Sequence, residues 1–576
     1  MKGKVTKKNQ EVNRNKDGLK EEYKKTILNI LTANPRVERI VLFGSRAMGT
    51  YSPESDIDLI LYGDELTFTD LAELKEKLEE TTIPQKVDLL LAKDIEKKEL
   101  LEHIKKHGVE WWRRKNNFNE DWEKVTIKSI ASQIAMGPFG SDIKKDNFVS
   151  DGVPVIRGHN LTLGRFRCDN FVFLTEEKAD QLKNANAFPG DLIFTHRGTL
   201  GQVGIIPEVP FKRYVVSQSQ MKLTCDRKKA YPLFIYYYFK SPKGQHALLM
   251  NQSQTGVPAI SRPVTSLKSI SLLLPPLPEQ HAIAHILGTL DDKIELNRQM
   301  NETLEKMAQA IFKSWFVDFD PVIWKAVKAG NPVPERFAEK AAYYKNGIPC
   351  PVPEEIAALF PDSFEDSELG PIPKGWRVGC VADLGKVICG KTPPTKNPEN
   401  YGKDIPFVTI PDMHGKVYVT ETGKCLSKKG ADTQKNKYLP PHSVCVSCIA
   451  TPGLVVLTSK EAQTNQQINS VIPKVLSPFY VYGLLHRLGN QIRAGGSGGS
   501  VFANLNKSRF SALKVLLANE DCVKAFHVVV EQLYHCILEN QKESSIISNL
   551  RDTLLPKLIS GELRVPDAEK LVEVLV

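Results

Sequence analysis

Three aspartates in the first hundred residues carry the most legible chemistry. On a strand, residues two apart face the same way. In Ser55-Asp56-Ile57-Asp58-Leu59, Asp56 and Asp58 therefore present adjacent carboxylates, while Ile57, Leu59 and Leu61 turn toward a core. Such a pair of hard oxygen donors suits Mg²⁺. Asp88, in Val87-Asp88-Leu89, lies between apolar neighbours on another predicted strand, able to ligate metal or to accept a proton from an attacking hydroxyl. Upstream, Phe43-Gly44-Ser45-Arg46 offers a glycine that lets the backbone approach a triphosphate, with Ser45 and nearby amides as donors to its oxygens. A lone Asp-x-Asp is most often a solvated turn or strand edge. Here Gly-Ser, ten intervening residues, Asp-x-Asp and a later apolar-flanked Asp occur together.

These residues need a frame. The apolar pattern predicts helices through Ile27, Ile30 and Leu31, over 70–80 and up to His107, and strands over 39–43, 56–62 and 86–91. That is a compact α/β unit. A lysine-rich stretch over 1–19 has no apolar pattern and reads as a mobile tail, and a basic, Asn-rich stretch over 111–123 reads as a linker. Gly44-Ser45 through Asp58, with Asp88, resembles the minimal nucleotidyltransferases of the DNA polymerase β superfamily, including those paired with small toxin partners. The resemblance implies Mg²⁺-dependent transfer of a nucleoside monophosphate from an NTP, with ATP the first choice. Asp56, Asp58 and Asp88 would be the metal-binding and catalytic carboxylates, and Gly44, Ser45 and Arg46 the nucleotide-binding residues. Met48 departs from the pattern, since many members have a second basic residue after Arg46.

From Trp122 the texture changes to short apolar runs divided by Gly, Pro and Asn, which predicts a mixed α+β domain with much loop. Arg157, His159, Asn160, His196, Arg197, Gln218 and Gln220 are interleaved with its strands, and Arg and Gln are side chains that can contact base edges bidentately. Lys391 and Lys396 are the corresponding candidates in a second copy, which restarts at Trp376. Val153-Pro154-Val155-Ile156-Arg157 answers to Ile405-Pro406-Phe407-Val408-Thr409, and Gly190-Asp191-Leu192-Ile193 to Pro441-His442-Ser443-Val444. The apolar frame persists while most polar positions change, as expected of two readers with different targets.

Each copy is followed by a long helix. Ile283, Leu290, Asn297, Leu304 and Ile311 recur every seven residues, with Leu287, Ile294, Asn301 and Ala308 as the second seam position. Phe526, Leu533, Asn540, Ile547 and Leu554 repeat the spacing at a constant offset of 243 residues, with Val529, Cys536 and Leu550 alternating. Neither stripe can be buried inside one small domain, so the two are expected to pair, with Asn297 and Asn540 fixing register. Between the copies, eight prolines over 332–373 deny long helices and favour extended chain.

Other signals are bland. Cys445 and Cys448 lack a second pair at zinc spacing, His281 and His285 lack a third ligand candidate, and the glycines over 495–500 lack a following Gly-Lys-Ser/Thr. A net charge of +10 is compatible with nucleic-acid contact. With no signal peptide and no apolar run near the ~20 residues that span a bilayer, a soluble cytoplasmic protein with reduced thiols and no membrane partner is expected.

Leu277-Pro278-Glu279-Gln280, Leu290-Asp291-Asp292-Lys293-Ile294-Glu295, Phe319-Asp320-Pro321, Gly370-Pro371-Ile372-Pro373-Lys374-Gly375-Trp376 and the ending Leu554-Leu555-Pro556-Lys557-Leu558-Ile559-Ser560-Gly561 resemble the specificity subunits of type I restriction-modification systems. The resemblance implies two target-recognition domains that read a split site on double-stranded DNA. Two antiparallel helices would act as a ruler between them, with no catalysis by this part. Methylation subunits, two of them, would bring S-adenosylmethionine, and restriction subunits ATP. The expected fold class is α+β multidomain, with a tail (1–19), a nucleotidyltransferase domain (20–115), a first recognition domain (116–274), a spacer helix (275–320), a connector (321–375), a second recognition domain (376–518), a second helix (519–565) and a tail (566–576). Two functions of different class follow: DNA specificity, and nucleotidyl transfer as a regulatory or independent defence activity. An N-terminal domain used only for docking is a third possibility.

Overall fold

The computed structural model describes residues 17–573 apart from 35, 64–65, 96–97, 114–120, 139, 141, 162–163, 254–255, 475–476 and 496–504. Residues 1–16 of the expected tail and most of the glycine run lie outside the described residues. The chain divides into two units, 1–120 and 121–576.

In the first unit, β1 (Arg39–Phe43), β2 (Ile57–Tyr62), β3 (Val87–Leu91) and β4 (Val109–Arg113) form one sheet in the order β3-β2-β1-β4. The β2–β3 pair is parallel and the β1 pairs are antiparallel. The predicted strands fall where their alternation placed them. A fourth strand lies where a linker is expected over 111–123: Trp111 and its flanks close the sheet edge against β1, and Trp111 is buried. The tail is also shorter than expected, since Leu19 is buried in this core and Asp17 pairs with Lys24 at 3.4 Å. Helices α1 (Glu21–Thr32) and α3 (Phe68–Glu79) lay Ile27, Leu31, Leu71, Leu74 and Leu78 against the strands' Ile40, Leu42, Leu59 and Leu89. The start of α3 is a capping box, with the Asp70 backbone N–H donating to Thr67 and the Asp70 carboxylate accepting from the Thr67 backbone at 2.8 Å. Arg36 Nη1 reaches both oxygens of the same carboxylate, at 2.9 and 3.0 Å, and Asn34 Nδ2 donates to it at 3.0 Å.

The second unit is a repeat. In the first copy, Val203–Ile205, Leu192–Thr195, Gln220–Cys225 and Ala131–Met136 form one sheet, and Val172–Leu174, Val153–Ile156, Tyr214–Val216 and Asn186–Ala187 form another. The second copy repeats the frame, with Val455–Thr458, Val444–Ser447, Ile468–Pro473 and Gly385–Cys389 in one sheet and Ile405–Val408 paired with Gln463–Thr464 in the other. Register corrects the sequence match by one residue. Leu192 faces Ile205 and Leu223, as Val444 faces Leu457 and Val471, so Val444 answers to Leu192 rather than to Ile193.

The long helices are Leu277–Phe316, 40 residues, and Glu520–Ser560, 41 residues. They run antiparallel. Ile283, Leu287 and Leu290 share a core with Ile547, Leu554 and Leu558, while Ala308, Phe312 and Phe316 share the other core with Phe526 and Val530. Each core also includes a recognition-type domain, Phe234 and Tyr237 at one end and Phe479 and Tyr482 at the other. At that second end the seam rotates. Val529 is 37% exposed while Val530 and Tyr534 are buried, because Phe479 stacks on Tyr534 at 4.3 Å and draws the helix face toward the domain. Midway the seam is polar. Asn297 Nδ2 donates to Ser544 Oγ at 3.3 Å and to Glu543 at 2.7 Å, and Asn540 Nδ2 donates to Asn301 Oδ1 at 3.0 Å. Asn301 and Ser544 are also repeat mates, so the Asn297–Ser544 and Asn540–Asn301 bonds are copies of one another about a local twofold.

The motif residues acquire jobs here. Gln280, 1% exposed, accepts from the Tyr231 N–H at 2.7 Å and donates to the carbonyls of Pro275 and Lys229, so it ties the helix entry to the first domain. Asp291 accepts from Tyr237 Oη and from Arg551, both at 2.7 Å, with Arg165 at 3.6 Å, which joins both helices and the first domain at one carboxylate.

Two boundaries change. Residues 321–375 are not mainly extended: Asp320–Ala329, Ala338–Lys345 and Glu354–Ala358 are short helices, and Phe319, Val322, Ala357 and Phe360 belong to the second core. The prolines limit helix length without preventing helices, since Pro321 sits in a first turn, where its missing N–H has no intrahelical role. The final stretch is not a tail either, because Val565–Glu573 is a helix whose Ala568 is fully buried in the first core.

Asp291→Ala should cost about 2–4 kcal/mol in urea unfolding by removing the shared acceptor of Tyr237 Oη and Arg551 Nη1. Asp292→Ala, which loses only the exposed Arg165 contact, should stay within ~0.5 kcal/mol. Hydrogen bonds from Thr67, then Asn34 and Arg36, hold the Asp70 carboxyl well below the usual carboxylate range. Its depressed value means stability present above the unfolded carboxylate range and lost as pH falls. Hydrogen exchange should therefore find 17–113 more protected in wild type than in Asp70→Asn at pH 6, with the difference closing as pH drops below about 4.

Candidate functional site

Strand register builds the carboxylate cluster. Phe43 at the end of β1 faces Asp58, and Asp58 faces Asp88 across the parallel β2–β3 pair. Asp56 lies just before β2, exposed at the mouth of the strand. Gly44 opens the short helix α2 (Gly44–Met48) with φ +73°, and a Cβ there would lie 2.1 Å from Asp58 Oδ2. The glycine is therefore required by the close approach of the backbone to the carboxylate. Burial, then Asp88 and Asp56, push the Asp58 carboxyl above its usual range, while Lys86 opposes them. Lys86 Nζ pairs with Asp88 Oδ1 at 2.8 Å.

The expected three-ligand set is looser than the strand argument implied. Asp58 and Asp88 are neighbours and Asp56 is near enough to act on Asp58 electrostatically. Among the described residues, however, no three His, Cys, Asp or Glu side chains are grouped closely enough to hold a metal ion. Clustered like charges that raise a carboxyl's affinity for a proton also favour a cation, so the chemistry of Asp56, Asp58 and Asp88 as hard oxygen donors suits a divalent ion. Ser45 is half-buried at the start of α2. Arg46, expected among the nucleotide-binding residues, is committed to backbone carbonyls here. It is 2% exposed and donates to the carbonyls of Ser55 at 2.8 and 3.0 Å, Asp17 at 3.1 Å and Pro53 at 3.3 Å. Its rigid fork of donors stitches the loop that delivers Asp56.

The recognition candidates split by burial. Arg157, Arg197, Gln218, Lys391 and Lys396 are exposed. His196 and Gln220 are buried and leave the list of contact residues. His196 Nε2 meets the Gln218 carbonyl at 3.1 Å, and burial lowers its pKa, so it stays neutral inside the domain. Gln220 joins a buried network with Ser217 and Thr195. Asn160 is likewise interior, accepting from the Arg157 N–H at 3.0 Å.

The repeat exposes a residue that the sequence reading passed over. In the first copy Ser217 N donates to Ile156 O, His196 N to Ser219 O and Gly137 N to Gln220 O; in the second Asn465 N donates to Val408 O, Cys448 N to Gln467 O and Gly390 N to Ile468 O. The match makes Gln466 the mate of Gln218, and it too is exposed. Aligning Ser217-Gln218-Ser219 with Asn465-Gln466-Gln467 was the available signal.

Gly44→Ala should destabilise 17–113 by about 2–4 kcal/mol, combining a left-handed φ with the Asp58 overlap. Gly49→Ala, at φ +75° with nothing within 4 Å of a Cβ, should lose only about 1–2 kcal/mol. Hydrogen exchange of the full chain separates the two.

Comparisons with known proteins agree with this division. A family model described as type I restriction modification DNA specificity domain matches residues 119–306 and 373–521. A polymerase beta nucleotidyltransferase model matches 25–117. The HindI specificity subunit of Haemophilus influenzae is 39% identical over 377 residues, 61% of this chain and 81% of its own length. A Methanocaldococcus jannaschii protein assigned as a protein adenylyltransferase is 34% identical over 97 residues, 16% of this chain and 91% of its own. The crystal structure of a type I restriction-modification S subunit from M. genitalium aligns at 17% identity and TM-score 0.45, covering 78% of this chain and 98% of that one. The chain belongs to the specificity subunits of type I restriction-modification systems, and carries ahead of its two recognition domains a nucleotidyltransferase domain of the polymerase β family.

Proposed function

We propose that the two recognition domains each read one half of a bipartite, asymmetric site on double-stranded DNA, and that the helix pair sets the gap between the halves. The carrying observation is the repeat itself, two copies of one frame with different polar residues held by a helix pair whose polar centre fixes register. A 40-residue helix is on the order of 60 Å long, more than the ~34 Å of one DNA turn. A change of spacing therefore misplaces one reader in both translation and rotation. Exposed Arg157, Arg197, Lys391 and Lys396 supply phosphate contacts and make affinity strongly salt-dependent. The unit works in the cytoplasm with two methylation subunits and with restriction subunits. Its ten cysteines are free thiols, and no helix of the described residues is long and apolar enough to cross a membrane.

The N-terminal unit is a nucleotidyltransferase that uses an NTP, ATP first, with Mg²⁺. Asp56 and Asp58 hold the metal, Asp88 completes the cluster, and the Gly44–Ser45 backbone with the Ser45 hydroxyl takes the phosphates. A bound Mg²⁺ supplies neutralisation of the triphosphate charge. A second reading makes this unit an independent transferase acting on a partner protein or nucleic acid in defence or in a toxin-antitoxin role. It is favoured by the unit's separate core and by the length of the adenylyltransferase relative that it covers.

With its methylation partner, the wild-type chain should methylate a split site of fixed gap. Inserting one helical turn between residues 287 and 308 should change the gap or abolish assembly, and an unchanged site pattern would sink the ruler. Radiolabelled NTP with Mg²⁺ should yield label on a protein or nucleic acid that Asp56→Ala/Asp58→Ala abolishes; no label with methylation intact would leave the unit a docking module.

A further inference from the structure

We propose that Gln218 and Gln466 are matched base-reading side chains, one for each half-site. The inference rests on the bipartite DNA reading above and assigns that reading to particular atoms. Each glutamine occupies the turn by which its domain passes from one sheet to the other, between Tyr214–Val216 and Gln220–Cys225 in the first copy and between Gln463–Thr464 and Ile468–Pro473 in the second. The turn is pinned from three sides by the same backbone bonds in both copies, to the strand ending at Ile156 or Val408, to residue 196 or 448, and to Gly137 or Gly390. The two glycines are matched for the same reason. A Cβ on Gly137 would lie 1.9 Å from Ser217 O, and one on Gly390 would lie 2.1 Å from Asn465 O.

On this shared platform nearly everything around the glutamine has changed. Ser217 answers to Asn465, Ser219 to Gln467, Gln220 to Ile468, His196 to Cys448 and Arg157 to Thr409. The glutamine alone of this set is kept, and it is exposed in both copies, so packing does not hold it there. Its surroundings instead orient it. Thr392 Oγ1 donates to Gln466 Oε1 at 2.6 Å, and Gln218 Oε1 lies so close to Gly140 that a Cβ there would come within 2.5 Å. A primary amide held on a rigid, exposed turn offers a donor and an acceptor side by side, the pattern that matches the N6 and N7 edge of adenine in the major groove. The changed neighbours then give each copy its own context around a common contact.

The test uses the full chain assembled with its methylation partner, acting on a randomised DNA library whose methylated sites are sequenced. Gln218→Ala should relax preference at one A·T pair in one half-site by roughly ten- to a hundred-fold, and Gln466→Ala should do so in the other half-site, with the gap unchanged in both. Gln218→Glu should move the preference at that position toward a C·G pair, because a carboxylate accepts from cytosine N4. That substitution reports on contact even if the alanine variant is damaged. Unchanged preferences in the variants, or equal weakening of both half-sites, would overturn the proposal while leaving the bipartite reading intact. A wild-type complex with no split-site preference would overturn that reading and the proposal together.

Discussion

An amphipathic helix of about 60 Å has nowhere to bury its stripe except against another of similar length, and both long helices of the second unit meet that requirement in each other. The rest of that unit depends on this pairing. The apolar contacts concentrate at the two ends, where each domain adds its own aromatic residues to the seam: Tyr237 hydrogen-bonds to Asp291 at one end, and Tyr480 packs on Phe312 and Phe316, which pack on Phe526, at the other. The middle is held by amides and Ser544, which contribute less to stability than leucines would but admit only one register.

The duplication is imperfect in an informative way. Trp122 donates its indole N–H to Glu279 at 3.0 Å, while its counterpart Trp376 is buried with no acceptor among the described residues, and Cys522 stands in the second helix at the position of Glu279. Gln280, which clamps the entry of the first helix, is answered by Val523 in the second. The second junction lacks both of these bonds, and combines aromatic packing with others such as Tyr482 Oη to Glu305 at 2.8 Å. Either device fixes a domain rigidly to a helix end, which is the property that a reader of spaced sites must have.

Much of this is legible in the sequence. Heptad spacing and the constant offset identified both helices and their pairing, and alternation placed β1, β2 and β3 within a residue of their ends, because both signals report burial directly. The misses have physical causes. Val529 was assigned to the seam by counting, but a domain packed against one side of a helix rotates the buried face to Val530 and Tyr534. Trp111 was lost to a polar context, though a closing edge strand needs few apolar residues. Arg46 and His196 were chosen for what their side chains can do, and burial spends them on backbone carbonyls instead. Gln466 is invisible to an alignment of apolar runs, because its equivalence to Gln218 lies in turn hydrogen bonds that have no hydrophobic signature.

The last helix, Val565–Glu573, returns the chain to the core it left at the first long helix, and each of the two cores contains residues from both long helices. Neither domain can lose its core without also unzipping half of the helix pair. Residues 121–576, long enough to be several independent folding units, are therefore expected to unfold in one cooperative step, and a truncated chain that kept one domain and one helix would leave an aromatic-rich seam exposed to whatever else is present.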